Sequence, residues 1–120
     1  MKILVIEDEL LIQKSLKRLL EKKGAQVAVS STGKEAIDKI LSNDYDRIVC
    51  DLMLQDITGF DIIEESKKKY NIEEIGNIFV IITAYSSPQI LEKANSYGCR
   101  VLGKPFENIE EALMVFLKSE

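Results

Sequence analysis

The sequence predicts an α/β fold in which five parallel strands form one sheet and helices cover both of its faces. Two patterns alternate along the 120 residues. Short apolar runs rich in β-branched residues are typical of strands that are buried on both faces. Longer stretches with apolar residues three or four positions apart are typical of helices that bury one side. Because strand and helix alternate five times, right-handed crossovers wind the sheet in two directions from a switch point.

The strand pattern occurs in five short runs. They are residues 2–6, 26–29, 47–50, 78–82 and 100–102. No apolar run approaches the roughly 20 residues that a membrane span needs. The first run ends at once in three acidic residues and is too short for the apolar part of a signal peptide. We therefore expect a cytoplasmic protein without a membrane partner.

Helices are predicted after each strand. Apolar stripes run through residues 12–20, 36–41 and 109–117, with weaker stripes at 59–69 and 88–97. Gly24 can end the first helix. Ser87 followed by Pro88 is typical of a helix start, and Asn108 begins a sequence that resembles a capping box. Residues 70–77 lack a clear period and are predicted to form a loop.

Composition argues against several classes of function. With 16 basic and 20 acidic residues the net charge is −4, whereas direct nucleic-acid binding needs a basic face. The lysines at 67–69 fit a solvated helix end better than a basic patch. The chain has no histidine, which excludes histidine-based acid–base catalysis and a phosphohistidine carrier. Cys50 and Cys99 lack metal-ligand spacing and are predicted to be buried, reduced thiols.

Five polar residues share one location, the carboxyl end of a predicted strand. They are Glu7 and Asp8 after the first strand, Asp51 after the third, Thr83 after the fourth and Lys104 after the fifth. Because these strand ends meet at one edge of a parallel sheet, the side chains are predicted to converge. Three carboxylates beside one lysine repel one another, and a hard divalent cation would relieve the repulsion. Without histidine or paired thiols, the set favours Mg²⁺ or Mn²⁺ over zinc.

Such a cation site suggests phosphoryl chemistry. Mg²⁺ uses only one or two carboxylates and keeps waters, whose positions phosphate oxygens can take. Asp51 can then act as a nucleophile that forms an aspartyl phosphate. Lys104 supplies a cation, and the Thr83 hydroxyl and Ala84 N–H supply donors. Taken alone, Asp51 has a plainer interpretation as a turn aspartate, and the acidic residues 7–9 as charges that favour a helix dipole.

Four sequence blocks resemble the signatures of response-regulator receiver domains, which belong to two-component signalling. The blocks read VIEDE, CDLMLQDITGFDII, IITAY and LGKPF, in the family's order and at compatible spacing. The resemblance covers residues 1–120. It implies the flavodoxin-like (βα)5 fold. We expect residues 1–120 to form a single receiver domain with no effector domain, either a stand-alone receiver or one excised from a longer protein.

The resemblance also implies a metal site. Asp8 and Asp51 correspond to the family's Mg²⁺ ligands, joined by the backbone carbonyl of Met53. Glu7 corresponds to a carboxylate that acts largely through water. The expected cofactor is Mg²⁺, with Mn²⁺ as a substitute.

The same resemblance assigns the phosphoryl site. Asp51 corresponds to the phosphoacceptor, Thr83 to the switch hydroxyl and Lys104 to the cation that contacts the phosphoryl group. Ala84 follows Thr83 and is expected to offer its N–H to the phosphoryl group. The peptide bond between Lys104 and Pro105 is expected to be cis, as is typical of the family.

Three departures from the family pattern affect this site. Gln55 stands where receivers usually have proline, so the loop after the third strand is expected to be more flexible. Val101 stands where many have a tyrosine or phenylalanine that rotates on activation. Met53 and Tyr85 occupy positions that border the phosphoryl group and tune its hydrolysis. With no ring at 101, we expect the output to depend on the loop after Thr83 and on the helix that follows it.

The implied function is signalling rather than turnover of a separate substrate. A sensor histidine kinase or histidine phosphotransfer protein would donate the phosphoryl group, and a downstream protein would bind the switched surface. The domain would catalyse its own phosphorylation and dephosphorylation. Two alternatives stay open: a receiver-fold interaction module that works without phosphorylation, and a small phosphohydrolase. The hydrolase would lack the usual second aspartate two residues after the nucleophile, where Met53 stands.

Overall fold

Five parallel strands form one sheet in the computed structural model, which describes residues 1–118. They are β1 (Lys2–Ile6), β2 (Gln26–Ser30), β3 (Arg47–Asp51), β4 (Phe79–Thr83) and β5 (Arg100–Gly103). Their order in the sheet is β2-β1-β3-β4-β5, so the switch point lies between β1 and β3. The predicted parallel sheet is confirmed, and β2 to β5 each end one residue later than predicted.

Helices cover both faces of this sheet, as predicted. They are α1 (Leu10–Lys22), α2 (Gly33–Ser42), α3 (Gly59–Ser66), α4 (Ile72–Ile78), α5 (Pro88–Ser96) and α6 (Ile109–Leu117). Residues of α2, α3, α4 and α5 pack in one core, and residues of α1 and α6 pack in the other. None of the helices within residues 1–118 is long and apolar enough to cross a membrane.

The central strand β3 shows why the apolar runs are unbroken. Ile48 and Cys50 enter the core on the side of α2 to α5, while Val49 enters the core on the side of α1 and α6. Successive side chains of a strand point to opposite faces, and both faces are covered here. Apolar residues are therefore needed at every position until the strand reaches the edge of the sheet.

The predicted loop at 70–77 was wrong, because this segment contains α4. Asn71 caps the helix: its side chain accepts from the Glu74 N–H at 2.9 Å, and the Glu74 carboxylate accepts from the Asn71 N–H at 3.0 Å. This reciprocal pair is a capping box. Ile75 is the buried residue of this short helix, and a single buried residue gives no repeated apolar stripe. The cap was the available signal.

The predicted helix boundaries at Gly24, Ser87 and Asn108 agree with the structure, whereas α3 ends at Ser66, three residues before the predicted end at 69. The Ser87 side chain accepts from the N–H of Ile90, and Pro88 is the first residue of α5. The Asn108 side chain accepts from the N–H of Glu111 at the start of α6. Gly24 follows α1 with a φ of 95°, a left-handed conformation that glycine adopts without a steric penalty.

Candidate metal centre

The order of the strands brings three carboxylates together at the carboxyl edge of the sheet. β1 and β3 are neighbours, so Glu7 and Asp8 after β1 lie beside Asp51 at the end of β3. One carboxylate oxygen from each of the three lies within 4.8 Å of the others. Glu7 and Asp51 are buried, and Asp8 is partly exposed. The convergence predicted from strand ends is therefore present in the fold.

Lys104 extends from the end of β5 into this cluster. Its Nζ lies 2.8 Å from Glu7 Oε1, 3.4 Å from Asp51 Oδ2 and 3.9 Å from Glu9 Oε1. The Lys104 side chain is only 7% exposed. Its backbone N–H donates to the Thr83 carbonyl at 2.8 Å, and the Lys104-Pro105 peptide bond is cis. Lys104 therefore joins the ends of β1, β3, β4 and β5 through one side chain and one amide.

The electrostatics of the cluster favour an added cation. Burial raises the pKa of Glu7, and its hydrogen bond to Lys104 offsets only part of that rise. Burial also raises the pKa of Asp8, and the neighbouring Glu7 raises it further. For Lys104, burial lowers the pKa, but the hydrogen bond to Glu7 and the charge of Asp51 raise it above its ordinary value. One ammonium thus leaves three carboxylates under-compensated, and these oxygen donors fit Mg²⁺.

Met53 lies against Asp51 in the loop between β3 and α3. Its backbone N–H donates to Asp51 Oδ1 at 3.3 Å. The base of the loop is closed by an antiparallel bridge between Met53 and Thr58 and by a hydrogen bond from the Gly59 N–H to the Leu52 carbonyl at 2.8 Å. A Cβ on Gly59 would lie 3.0 Å from the carbonyl oxygen of Asp51, so glycine permits this close return of the chain.

Thr83 is buried at the end of β4, and its hydroxyl is held by the loop that follows. The hydroxyl donates to the Tyr85 carbonyl at 2.9 Å and accepts from the Tyr85 N–H at 3.0 Å. The Tyr85 side chain stands out from the surface, with 67% of the residue exposed. Val101 is half-buried and packs against the core of α2 to α5. The hydroxyl is therefore bound to the loop and not to the carboxylate cluster.

An open cleft of about 280 Å³ lies over these groups. Its lining comprises Asp8, Glu9, Asp51, Met53, Gln55, Ala84, Tyr85 and Lys104. Every predicted site residue lines this cleft except Glu7 and Thr83, which are buried beneath it. The cleft thus gives access to Asp51 from solvent.

Sequence reasoning missed two residues that lie around the site. Gln13 is buried, and its Nε2 donates to the Glu7 carbonyl at 2.9 Å and to Ser31 Oγ at 3.2 Å. Its position on the buried stripe of α1, with Leu16, was the signal that a polar side chain had an internal partner. Glu9 was left outside the site, yet it lines the cleft near Lys104.

Known proteins resemble this chain over nearly its full length. The model of the response regulator receiver domain family matches residues 3–115. The response regulator ArlR of Staphylococcus saprophyticus is 34% identical over 113 residues, which cover 93% of this chain and 49% of ArlR. The aerobic respiration control sensor protein ArcB of Escherichia coli is 35% identical over 103 residues, which cover 86% of this chain and 13% of ArcB. The chain thus spans half or less of the length of these relatives.

Solved structures share the same architecture. The non-phosphorylated receiver domain of HemR from Leptospira biflexa has a TM-score of 0.83 and 27% identity, covering 99% of this chain and 96% of that one. TrrA from Thermotoga maritima, in complex with Mg²⁺ and BeF, has a TM-score of 0.73 and 27% identity, covering 97% and 98%. The predicted flavodoxin-like fold is confirmed. By its sequence, its fold and the match of the family model, the chain belongs to the response regulator receiver domains of two-component systems.

Proposed function

We propose that this receiver domain accepts a phosphoryl group on Asp51 in a Mg²⁺-dependent reaction. The observation that carries the proposal is the position of the Asp51 carboxylate: it lines the open cleft, lies beside Glu7 and Asp8, and has its Oδ2 3.4 Å from the Nζ of Lys104. The donor is a phosphohistidine of a sensor histidine kinase or histidine phosphotransfer protein, and the output is a changed surface for a downstream protein. The match to part of a sensor protein and to a response regulator supports partners of this kind.

The chain's own oxygens would hold the metal. Asp8, Asp51 and the Met53 carbonyl are the proposed ligands, and Glu7 acts through water. Bound Mg²⁺ supplies positive charge to the phosphoryl oxygens in the transition state. The raised pKa values of Glu7 and Asp8 support this assignment, because they reflect crowded carboxylates that a cation would stabilise in their ionised form.

Phosphoryl transfer would need little covalent chemistry from the protein beyond the nucleophile. An Asp51 carboxylate oxygen forms the new P–O bond while the P–N bond to the donor imidazole breaks, and the imidazole leaves with the bonding electrons. Lys104 compensates the charge of Asp51, and the Ala84 N–H and Thr83 hydroxyl are the proposed donors to the phosphoryl oxygens. In dephosphorylation, water attacks phosphorus, the P–O bond to Asp51 breaks, and inorganic phosphate is released with the carboxylate restored. Met53 and Tyr85 at the rim of the cleft limit the access of water.

Acetyl phosphate with Mg²⁺ tests the function without a cognate kinase. We expect intact mass to show one added phosphoryl group, and inorganic phosphate to be released only as fast as the phosphorylated protein decays. An interaction module that works without phosphorylation would keep its mass unchanged. A phosphohydrolase acting on separate substrates would release phosphate catalytically from several phosphomonoesters. Either of the last two results would contradict the proposal.

The metal assignment predicts opposite effects for Asp8→Asn on metal binding and on metal-free stability. Mg²⁺ should bind the wild type with a dissociation constant in the millimolar range or below, which corresponds to a binding free energy on the order of −4 to −5 kcal/mol. It should bind the variant at least about tenfold more weakly. Without Mg²⁺ the variant should unfold with a free energy roughly 0.5–1 kcal/mol higher, because the neutral side chain removes repulsion that solvent partly screens. Mg²⁺ titration and urea unfolding measure the two effects. Equal Mg²⁺ affinity in the two proteins would remove Asp8 from the site.

The signal should leave the site through the loop after Thr83. If the Thr83 hydroxyl donates to the phosphoryl group, it gives up its hydrogen bond to the Tyr85 carbonyl, so the loop loses a restraint. Val101 is half-buried against the core and has no ring to rotate. With beryllofluoride and Mg²⁺, we expect amide exchange and NMR shifts to change across residues 84–91, with Tyr85 changing exposure. Changes confined to residues 99–103 would show that the signal takes another route.

A further inference from the structure

The loop at residues 52–58 carries a proposed metal ligand near one end and an unassigned carboxylate near its tip. Met53 lies beside Asp51, whereas Asp56 points to a different part of the molecule, the start of α2. The loop contains no proline, and Gln55 at its tip is exposed. Its backbone therefore depends on contacts to hold one conformation.

Asp56 makes two hydrogen bonds across this gap. Its Oδ1 accepts from the Gly33 N–H at 2.9 Å, and its Oδ2 accepts from the Lys34 N–H at 2.9 Å. The Thr32 hydroxyl accepts from the Glu35 N–H at 3.2 Å, so the free amides of the first turn of α2 are all bonded. The negative charge also lies at the favourable end of the helix dipole. Burial raises the pKa of Asp56, but the backbone N–H donors, Gly33 and Lys34 foremost, together hold it below its ordinary value.

The backbone of α2 is shaped to receive the loop. A Cβ on Gly33 would collide with the side chain of Ile57 and would lie 3.3 Å from Asp56 Oδ1. The absence of a side chain at Gly33 therefore lets the loop tip lie directly on the helix start. The hydrogen bonds of Asp56 and the packing of Ile57 together make a two-point attachment that is separate from the bridge at the base of the loop.

We propose that Asp56 is a positioning residue for the metal centre: it fastens the loop tip to α2 and so holds the Met53 backbone beside Asp51. This inference rests on the proposed function, in which the Met53 carbonyl is a Mg²⁺ ligand. A loop that is already ordered loses less conformational entropy when the ligand binds, so binding is tighter. The competing view is that the bridge between Met53 and Thr58 at the loop base is sufficient by itself.

Asp56→Ala should weaken the metal site without disabling the chemistry. We expect the Mg²⁺ concentration for half-maximal phosphorylation by acetyl phosphate to rise about fivefold, and the rate at saturating Mg²⁺ to stay within about twofold of wild type. Asp56→Asn keeps one acceptor oxygen, so its half-maximal Mg²⁺ concentration should lie between those of wild type and Asp56→Ala. The matched control is Asp38→Asn, which removes an exposed carboxylate from α2, the helix whose start Asp56 contacts, and should behave as wild type.

A readout from the metal-free protein separates this effect from activity. In Asp56→Ala, amide exchange should accelerate at Gly33, Lys34 and Met53, whereas in Asp38→Asn it should not. Gly33→Ala leaves Asp56 intact but adds a methyl group to α2 that displaces the loop. It should therefore also weaken Mg²⁺ binding. If Asp56→Ala fails to fold, Asp56→Asn and Gly33→Ala carry the test.

Two outcomes overturn the inference, and they are distinguishable. If wild type binds Mg²⁺ and is phosphorylated, but Asp56→Ala, Asp56→Asn and Gly33→Ala match Asp38→Asn in Mg²⁺ dependence, then Asp56 only caps a helix. If the Asp56 variants had a lower melting temperature but an unchanged Mg²⁺ dependence, the conclusion would again be that Asp56 only caps a helix. If wild type shows neither Mg²⁺ binding nor phosphorylation, the proposed function is wrong and the inference falls with it.

Discussion

We expect Asp51→Asn to abolish phosphorylation of this chain by acetyl phosphate in the presence of Mg²⁺. The amide has nearly the shape of the carboxylate but is a far weaker nucleophile, so we expect the rate to fall by on the order of a thousandfold or more. Intact mass followed over time measures the loss. The fold should persist, because the change removes a buried negative charge from a cluster that holds three carboxylates.

The control for this result is a carboxylate outside the cleft. Asp38→Asn on the exposed face of α2 should be phosphorylated at the wild-type rate. Peptide mapping of the wild-type product should place the phosphoryl group on Asp51. A phosphoryl group on Thr83 or on a serine would contradict the proposed nucleophile.

We expect Arg47→Met to cause the largest loss of stability outside the metal centre. The Arg47 guanidinium is buried at the start of β3, opposite the cleft, and donates to the carbonyls of Phe116, Asn77 and Lys118. It thereby joins the sheet to the ends of α4 and α6. Methionine fills similar space but leaves carbonyls without a donor, which should lower the free energy of unfolding by about 3 kcal/mol. The melting temperature should fall by roughly 10 °C.

Two further variants make the Arg47 result specific. Arg18→Met removes an exposed guanidinium from α1 and should change stability by less than about 0.5 kcal/mol. Arg47→Lys keeps the charge, but one ammonium cannot reproduce the planar fork that reaches several carbonyls, so its stability should be intermediate. Urea unfolding of the metal-free proteins measures all three. An Arg47→Met variant as stable as Arg18→Met would show that water satisfies these carbonyls.

Local patterns in the sequence were sufficient for most of the fold. The apolar run in β3 predicts a strand covered on both faces, and both faces are covered. Ser87 with Pro88 predicts the start of α5 because a cap involves only neighbouring residues. α4 was missed because Ile75 is its buried residue, and one buried residue makes no period. The reciprocal cap of Asn71 and Glu74 was weaker evidence than periodicity.

The approach of Glu7, Asp51 and Lys104 was also predictable, although Lys104 and Glu7 are 97 positions apart. Parallel strands place their carboxyl ends at one edge, so topology alone brings such residues together. The sequence did not indicate which hydrogen-bond partners these side chains would take. The Thr83 hydroxyl donates to the Tyr85 carbonyl, and the Gln13 side chain donates to the Glu7 carbonyl. Such partners depend on how the loops and α1 pack at the edge of the sheet.

The sequence by itself therefore determined the five strands, most of the helices, and which polar residues reach the edge of the sheet, because periodicity, capping and strand polarity are local properties. Only the tertiary structure decided that Asp56 lies on the start of α2, 22 and 23 positions from the amides it accepts from, and that Arg47 lies at the ends of α4 and α6. Such contacts depend on how helices and loops pack on the sheet, and a pattern among neighbouring residues does not specify which distant residues will meet.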